Sequence, residues 1–237
     1  VDLNNDGYID IVSGRNEPND ILWFKGSKKG FQKGVILKEE KLKLDGNDMS
    51  KYKSTPCFID IDGDKDLDLF VATSTLVYFN RNIGTPENPK FGKRELLITT
   101  KGDTIGKSNS PTIAVVDWDN DNILDIIISN ESGYDGQAVG LSYYKGLGNG
   151  KYEPDIPITK NEKNKRCIPG CAYWICSTDW NNDGKPDILV GTSLVFKGKK
   201  AMDEINCNLK TVYYQDVDME EMKKMTFNGC IYLLLGE

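Results

Sequence analysis

Histidine is absent from all 237 residues. Any mechanism that needs an imidazole base, as serine and cysteine hydrolases usually do, is excluded from this chain, and so are His-ligated zinc sites. No apolar run is long enough to cross a bilayer as a helix, so membrane insertion by that route is not expected. Helical periodicity is nearly missing too; only residues 218–225, with Glu220, Glu221, Lys223 and Lys224, suit a short exposed helix. Cysteine is sparse and scattered: of six, only Cys167, Cys171 and Cys176 lie close together in sequence. A Cys207–Cys230 or Cys167–Cys171 bridge fits the spacing, but a chain of this length buries enough core to fold without one.

Aspartate is what the sequence has in excess. It outnumbers glutamate 24 to 12, and 15 of the aspartates fall in four short clusters at 2–10, 60–68, 117–125 and 179–187. The formal net charge of −6 therefore hides a basic remainder, in which 30 Lys and Arg face 21 acids. The first residues of successive clusters are 58, 57 and 62 positions apart. A fixed period of this size decides the architecture before any local reading does.

The flanks of the clusters repeat as well. A strand-like run precedes each of the last three clusters (56–59, 113–116, 173–177), and another follows every cluster (11–12, 69–71, 126–128, 188–190). A third run carries aromatics: Trp23 and Phe24, Tyr78 and Phe79, Tyr143 and Tyr144, and, after an insertion at 197–228, Tyr232. A fourth is expected to open at Phe31, Phe91 or Tyr152. Four short strands in each unit of about 60 residues predict an all-β fold, a β-propeller with four-stranded blades. The approximate blades are 1–50, 51–107, 108–168 and 169–237, in a single domain or segment. The first unit lacks its first strand and the fourth stops after its third. Fourteen strands in that phase predict an incomplete ring or a fragment of three to four blades, with further blades or domains in a longer chain.

Each cluster offers side-chain oxygens at positions one, three, five and nine and a backbone carbonyl at position seven. In that spacing a tightly curled loop surrounds a hard cation while carboxylates neutralise its charge. The side-chain ligands read out as Asp2, Asn4, Asp6 and Asp10; Asp60, Asp62, Asp64 and Asp68; Asp117, Asp119, Asp121 and Asp125; and Asp179, Asn181, Asp183 and Asp187. Tyr8, Asp66, Ile123 and Lys185 supply the carbonyls. Soft ligands are missing from the set, which favours Ca²⁺ over zinc or copper and predicts up to four structural ions. Gly7 and Gly184 stand at position six, where the curl favours a positive φ that Asn122 also tolerates. Lys65 departs from that pattern, in a loop that has Gly63 and a fifth acid, Asp66, so altered geometry is expected there.

Loops of the form D-x-[DN]-x-D-G-x-x-D followed by an apolar strand resemble those of the FG-GAP and VCBS repeat family, as in integrin α-chain propellers. Residues 82–91 and 179–184 look similar to bacterial secreted members. The resemblance covers almost the whole chain. It implies one calcium in each loop, pinning the turn between the first and second strands of a blade. It implies no single activity, because the family includes adhesins, lectin-like modules and polysaccharide lyases.

Trp118 and Trp180 occupy position two of their clusters, where the other two have Leu3 and Ile61, so packing behind the loop is expected rather than sugar stacking. Trp23, Tyr143 and Tyr144 sit in strands, whose alternate residues face opposite sides, and a core role is expected for at least one of each pair. Cys57 and Cys176 lie three residues before a first ligand, where the third unit has Ala114, and read as small core residues.

Blade topology sends the cluster loops to one face and the remaining loops, 42–54, 99–110, 159–170, 130–140 and the insertion, to the other. The first three of these carry Lys43, Lys51, Lys53, Lys101, Lys107, Lys160, Lys163, Lys165 and Arg166 against four acids. That excess suits an acidic glycan or an acidic protein patch. No phosphate loop or aromatic-basic module is present, so nucleic acid is not expected.

The sequence thus reads as an extracytoplasmic calcium-binding β-propeller, a glycan- or protein-binding or scaffold module at an extracellular, periplasmic or cell-surface address. Weak calcium sites stay filled in such places. The alternative is part of a secreted polysaccharide lyase or other carbohydrate-active enzyme. Tyr134, Lys163 and Arg166 have side chains suited to proton abstraction beside a uronate, but no spacing singles them out, and no catalytic residue is assigned.

Overall fold

Short apolar runs alternate with turns rich in Gly, Asn and Asp, and the runs become strands. The computed structural model of the chain describes residues 1–15, 20–37, 39–40, 55–107, 110–129, 140–148, 150–158, 171–197 and 225–234. Among them are sixteen β-strands and no helix. Blade one pairs β1 (Ile11–Gly14), β2 (Ile21–Phe24) and β3 (Val35–Ile36). A short β4 (Glu39–Glu40) follows and pairs in parallel with β8 (Phe91–Lys93), tying the first unit to the second. Blade two orders β5 (Thr55–Ile59), β6 (Asp68–Ala72), β7 (Val77–Asn80) and β9 (Glu95–Leu96). Blade three orders β10 (Thr112–Val116), β11 (Asp125–Ser129), β12 (Leu141–Tyr144) and β13 (Ile156–Pro157). Blade four has β14 (Cys171–Thr178), β15 (Asp187–Lys197) and β16 (Met225–Leu234).

Every pairing within a blade is antiparallel, and the blade sheets of three, four, four and three strands have the phase expected of an incomplete propeller. The sheets do not close into a ring among the described residues.

Two expectations shift. The outermost strands β3, β9 and β13 begin four residues beyond Phe31, Phe91 and Tyr152; a strand does open at Phe91, but it is β8, which pairs with β4 and not within the blade-two sheet. Phe91 and Tyr152 are buried and bridge back to Asn82 and to Gly146 and Thr99, so each serves as a wedge ahead of the outer strand, while Phe31 is exposed. The ends of the expected insertion are strand: β15 and β16 stay in register from Ile188↔Leu234 to Lys197↔Met225, forming one long hairpin. Residues 198–224, and the expected helix apart from Met225, which opens β16, lie outside the described residues.

The core lies between blades. Central strands covered on both faces need consecutive apolar residues, and β6 and β11, buried throughout, carry them at 69–72 and 126–128. Their side chains divide by parity. Leu69 and Val71 pack toward blade one with Leu3, Ile21 and Trp23, whereas Phe70 and Ala72 face blade three with Ile113, Ile126 and Ile128. Ile127 turns the other way, to Ile188 and Val190 of blade four. Each such Leu, Ile or Phe contributes about 1.5–3 kcal/mol by leaving water. Cys57 is half-buried against this core, as expected, but Cys176 is exposed on β14 beside exposed Trp174, because the parity of β14 turns both away from blade three.

Candidate metal centre

Three of the aspartate clusters form the turns between the first and second strands of their blades, the first cluster leads directly into β1, and all four curl in a similar way. The carboxylate at position one accepts the amide N–H groups of positions five and six: Asp2 from Asp6 and Gly7, Asp117 from Asp121 and Asn122, Asp179 from Asp183 and Gly184, at 2.8–3.1 Å. Position five accepts from the amide of position seven, so Tyr8, Asp66, Ile123 and Lys185 donate to Asp6, Asp64, Asp121 and Asp183. The loop at 60–68 differs as expected, because Asp60 takes the amides of Gly63 and Lys65, positions four and six.

Backbone sterics explain which residues can make this turn. Positions four and six are both left-handed: Asn5 and Gly7, Gly63 and Lys65, Asn120 and Asn122, Asn182 and Gly184, with φ between 51° and 86°. Asn and Gly enter that region at little cost, while Lys65 at φ 76° does not. Gly63, at position four of its own loop, is therefore a turn residue like Asn5 rather than a replacement for the missing glycine at position six.

Position nine has a second job. Asp10, Asp68, Asp125 and Asp187 are all buried. One oxygen of each accepts the amide of position two, from Leu3, Ile61, Trp118 and Trp180 at 2.8–3.4 Å. The other, in blades one to three, accepts an amide just past the third strand: Gly26 at 2.6 Å, Asn82 at 2.7 Å and Gly146 at 2.7 Å. Trp23 and Tyr143, the buried third-strand aromatics, add their polar ends to Asp10 and Asp125. Phe79 in blade two has no donor to give. Burial pushes the Asp68 carboxyl up to about 6, against the two amides that stabilise its charge, and burial likewise raises Asp125.

The outer carboxylates converge. Asp60, Asp62 and Asp64 each bring one oxygen within 4.8 Å of the others, and so do Asp117, Asp119 and Asp125. Such a set of hard oxygens fits Ca²⁺ and gives nothing to a thiophilic metal. Two further oxygens, Oδ1 of Asn4 and Oδ1 of Asp66, are buried without a partner, and Asp66 is raised by burial and by the Asp64 charge. In the first and fourth loops position three is Asn, which donates to position five, Asn4 to Asp6 at 2.9 Å and Asn181 to Asp183 at 2.8 Å. Two basic side chains reach into the other loops: Arg81 to Asp62, and Lys145 to Asp119 and to Asp121.

Three overlapping stretches, residues 2–71, 60–128 and 117–190, match the FG-GAP-like repeat. The chain belongs to the FG-GAP-like repeat family. No curated protein matches it.

In this FG-GAP-like chain the turn geometry recurs in every loop, but three carboxylates gather only in the second and third loops among the described residues. Trp118 is half-buried against the core behind its loop, as expected, whereas Trp180 is 63% exposed. The difference is one of neighbours: Trp118 packs against Ala114, Ile188 and Val190 between blades three and four, and blade four has no described blade beyond it. Of the basic residues expected on the opposite face, Lys101 and Lys107 are described and exposed, and Lys43, Lys51, Lys53, Lys160, Lys163, Lys165 and Arg166 lie outside the described residues. Tyr134, Cys167 and Cys207 lie outside them too.

Sequence reasoning missed three features: the left-handed position four, the inward pin at position nine, and the basic residue that leaves the third strand. The signal for the last two was a repeated pair, Lys25-Gly26, Arg81-Asn82 and Lys145-Gly146. A Cβ on Gly26 or Gly146 would stand 2.3 Å from the carbonyl oxygen of Ile9 or Leu124, so glycine lets the strand exit close on the loop.

Proposed function

We propose that this FG-GAP-like chain is a calcium-stabilised β-propeller module that works outside the cytoplasm as a binding or scaffold unit for a glycan or protein. The observation that carries the calcium reading is the meeting of Asp60, Asp62 and Asp64, and of Asp117, Asp119 and Asp125, within 4.8 Å. Oxygens on opposite sides of a calcium ion stand about 4.8 Å apart, twice the usual bond length. Positions one, three, five and nine would hold the ion, with the carbonyls of Tyr8, Asp66, Ile123 and Lys185 completing the shell. The ion would neutralise charge that the loop otherwise crowds together, and so fix the turn between two strands of each blade. Sites built mainly from short exposed loops suit the high calcium outside cells. Lys101 and Lys107 are exposed, and the expected basic loop face to which they belong would favour an acidic ligand.

Chelation is expected to lower the melting temperature and calcium to restore it, since a ligand that binds only the folded state stabilises it. Asp179→Ala is expected to reduce bound calcium by about one ion per chain, as metal analysis after dialysis would show. An unchanged melting curve with no metal retained would refute the calcium reading. For the ligand, the calcium-loaded protein is incubated with acidic and neutral polysaccharides: retention without cleavage supports a binding module, and new unsaturated chain ends would make it a lyase instead.

A further inference from the structure

We propose that Arg81 and Lys145 are tethered cations that set the calcium affinity of the second and third loops by occupying the carboxylates a calcium ion would use; this rests on the calcium reading above. Both residues stand one position past the third strand of their blade, after β7 and β12. From there Arg81 reaches Asp62, at position three of its loop. Lys145 bridges Asp119 and Asp121, positions three and five, with the second contact at 2.6 Å. An ammonium shared between these two carboxylates does the electrostatic work of a bound metal ion, with one charge in place of two.

The pattern across the four loops argues against chance surface pairing. Position three is Asp in both loops that Arg81 and Lys145 reach and Asn in the other two. Asn4 and Asn181 instead donate to position five within their own loops. Lys25, the counterpart of Arg81 and Lys145 in blade one, instead lies over the Trp23 ring, 4.1 Å from its centroid. The extra carboxylate and the cation thus occur together. With Lys145 counted, the four ligand aspartates of the third loop carry a net −3, the charge of the three in the first loop. Calcium entering loop two or three must exchange for the tethered cation and then bind beside it, and both steps weaken binding.

The test uses calcium titration calorimetry on the full chain and on Lys145→Gln and Arg81→Gln. Each variant is expected to tighten one site on the order of tenfold, from the lost repulsion and the freed carboxylates. Each should also lower the melting temperature in chelator while raising it in calcium, which a merely structural role would not do. Lys101→Gln removes an exposed lysine on another loop and controls for bulk charge; it should change neither. In a background carrying both Asp119→Asn and Asp121→Asn, Lys145→Gln should lose its effect on the melting temperature in chelator, as a double-mutant cycle requires of direct partners. If the parent binds calcium and both variants bind it equally well or more weakly, the clamp is wrong and the calcium sites stand. A chelator effect of Lys145→Gln that survives when Asp119 and Asp121 are both replaced by Asn would also overturn the clamp, as would matching behaviour of Lys101→Gln. If the parent binds no calcium, both readings fall.

Discussion

Asp125→Ala tests the structural role of the position-nine aspartate, and the expected loss follows from three hydrogen bonds. Asp125 is fully buried and accepts the amide of Trp118 at 2.9 Å, the amide of Gly146 at 2.7 Å and the Tyr143 hydroxyl at 3.3 Å. The hydroxyl also has Asp119, so the substitution leaves two amides without their acceptor. A hydrogen bond to a charged acceptor contributes about 1.5–3 kcal/mol, and a buried amide left unpaired costs about 1–3 kcal/mol. Against this stands the burial of the carboxylate itself, which raises its pKa and is relieved when it goes. The net expectation is a loss of about 2–4 kcal/mol in the absence of calcium.

Urea unfolding in chelator, followed by tryptophan fluorescence, measures this loss directly. Asp121→Ala is the comparison: its side chain lies in the same loop but at the exposed rim, where it loses a surface pair with Lys145 and the Ile123 amide, so its midpoint in chelator should fall far less than that of Asp125→Ala. With calcium present both variants should be weakened. Asp125→Asn retains one acceptor and should fall between parent and Asp125→Ala, which keeps the comparison open if the alanine variant does not fold. Unfolding of Asp125→Ala within about 1 kcal/mol of the parent in chelator would refute the pin.

Two further outcomes are expected. Lys65→Gly removes a side chain held at φ 76° and should stabilise the chain by about 0.5–1 kcal/mol after the added freedom of the unfolded state; a lower melting temperature would contradict the strain. Asp68, raised to about 6 by burial, predicts a pH dependence in chelator. Between about pH 4 and 6 the folded chain holds a proton that the unfolded chain has released, so stability falls as pH rises through that window, by about 2–3 kcal/mol in all. Asp125 acts in the same direction, while Asp121, lowered by the Lys145 hydrogen bond, and Asp183, lowered by the Lys185 amide, act oppositely at lower pH. Calcium favours the carboxylate form and should flatten the decline, and a stability in chelator that climbs from pH 4.5 to 7 would refute the assignment.

The propeller was legible because its signals are periodic. Each loop is followed at once by an apolar strand, and an uninterrupted run such as Ile126, Ile127 and Ile128 is stable only where both faces of the strand are covered, which requires a blade on each side. The ligand spacing was legible for the same reason. What the sequence concealed depends on direction rather than identity. An aspartate reads the same whether its oxygens face an ion or two backbone amides, so Asp68 and Asp125 looked like ligands and nothing more. Trp118 and Trp180 are chemically alike and differ only in what packs against them.

These hidden directions explain why the loop has two halves with separate physical duties. Position nine, buried in every loop, couples the start of the loop to the exit of the third strand in blades one to three, through hydrogen bonds that need no metal. Positions three and five lie at the exposed rim, where like charges crowd together and need a counter-ion. In blades two and three that exit carries both functions at adjacent residues: Asn82 and Gly146 donate their amides inward to the pin, and Arg81 and Lys145 reach outward to the rim. A single dipeptide therefore links the fold of the blade to the charge of its loop. A change at the rim can retune metal affinity with little disturbance of the strands, because the backbone amides that hold the pin are not those of the rim, and in the third loop only the Tyr143 hydroxyl serves both.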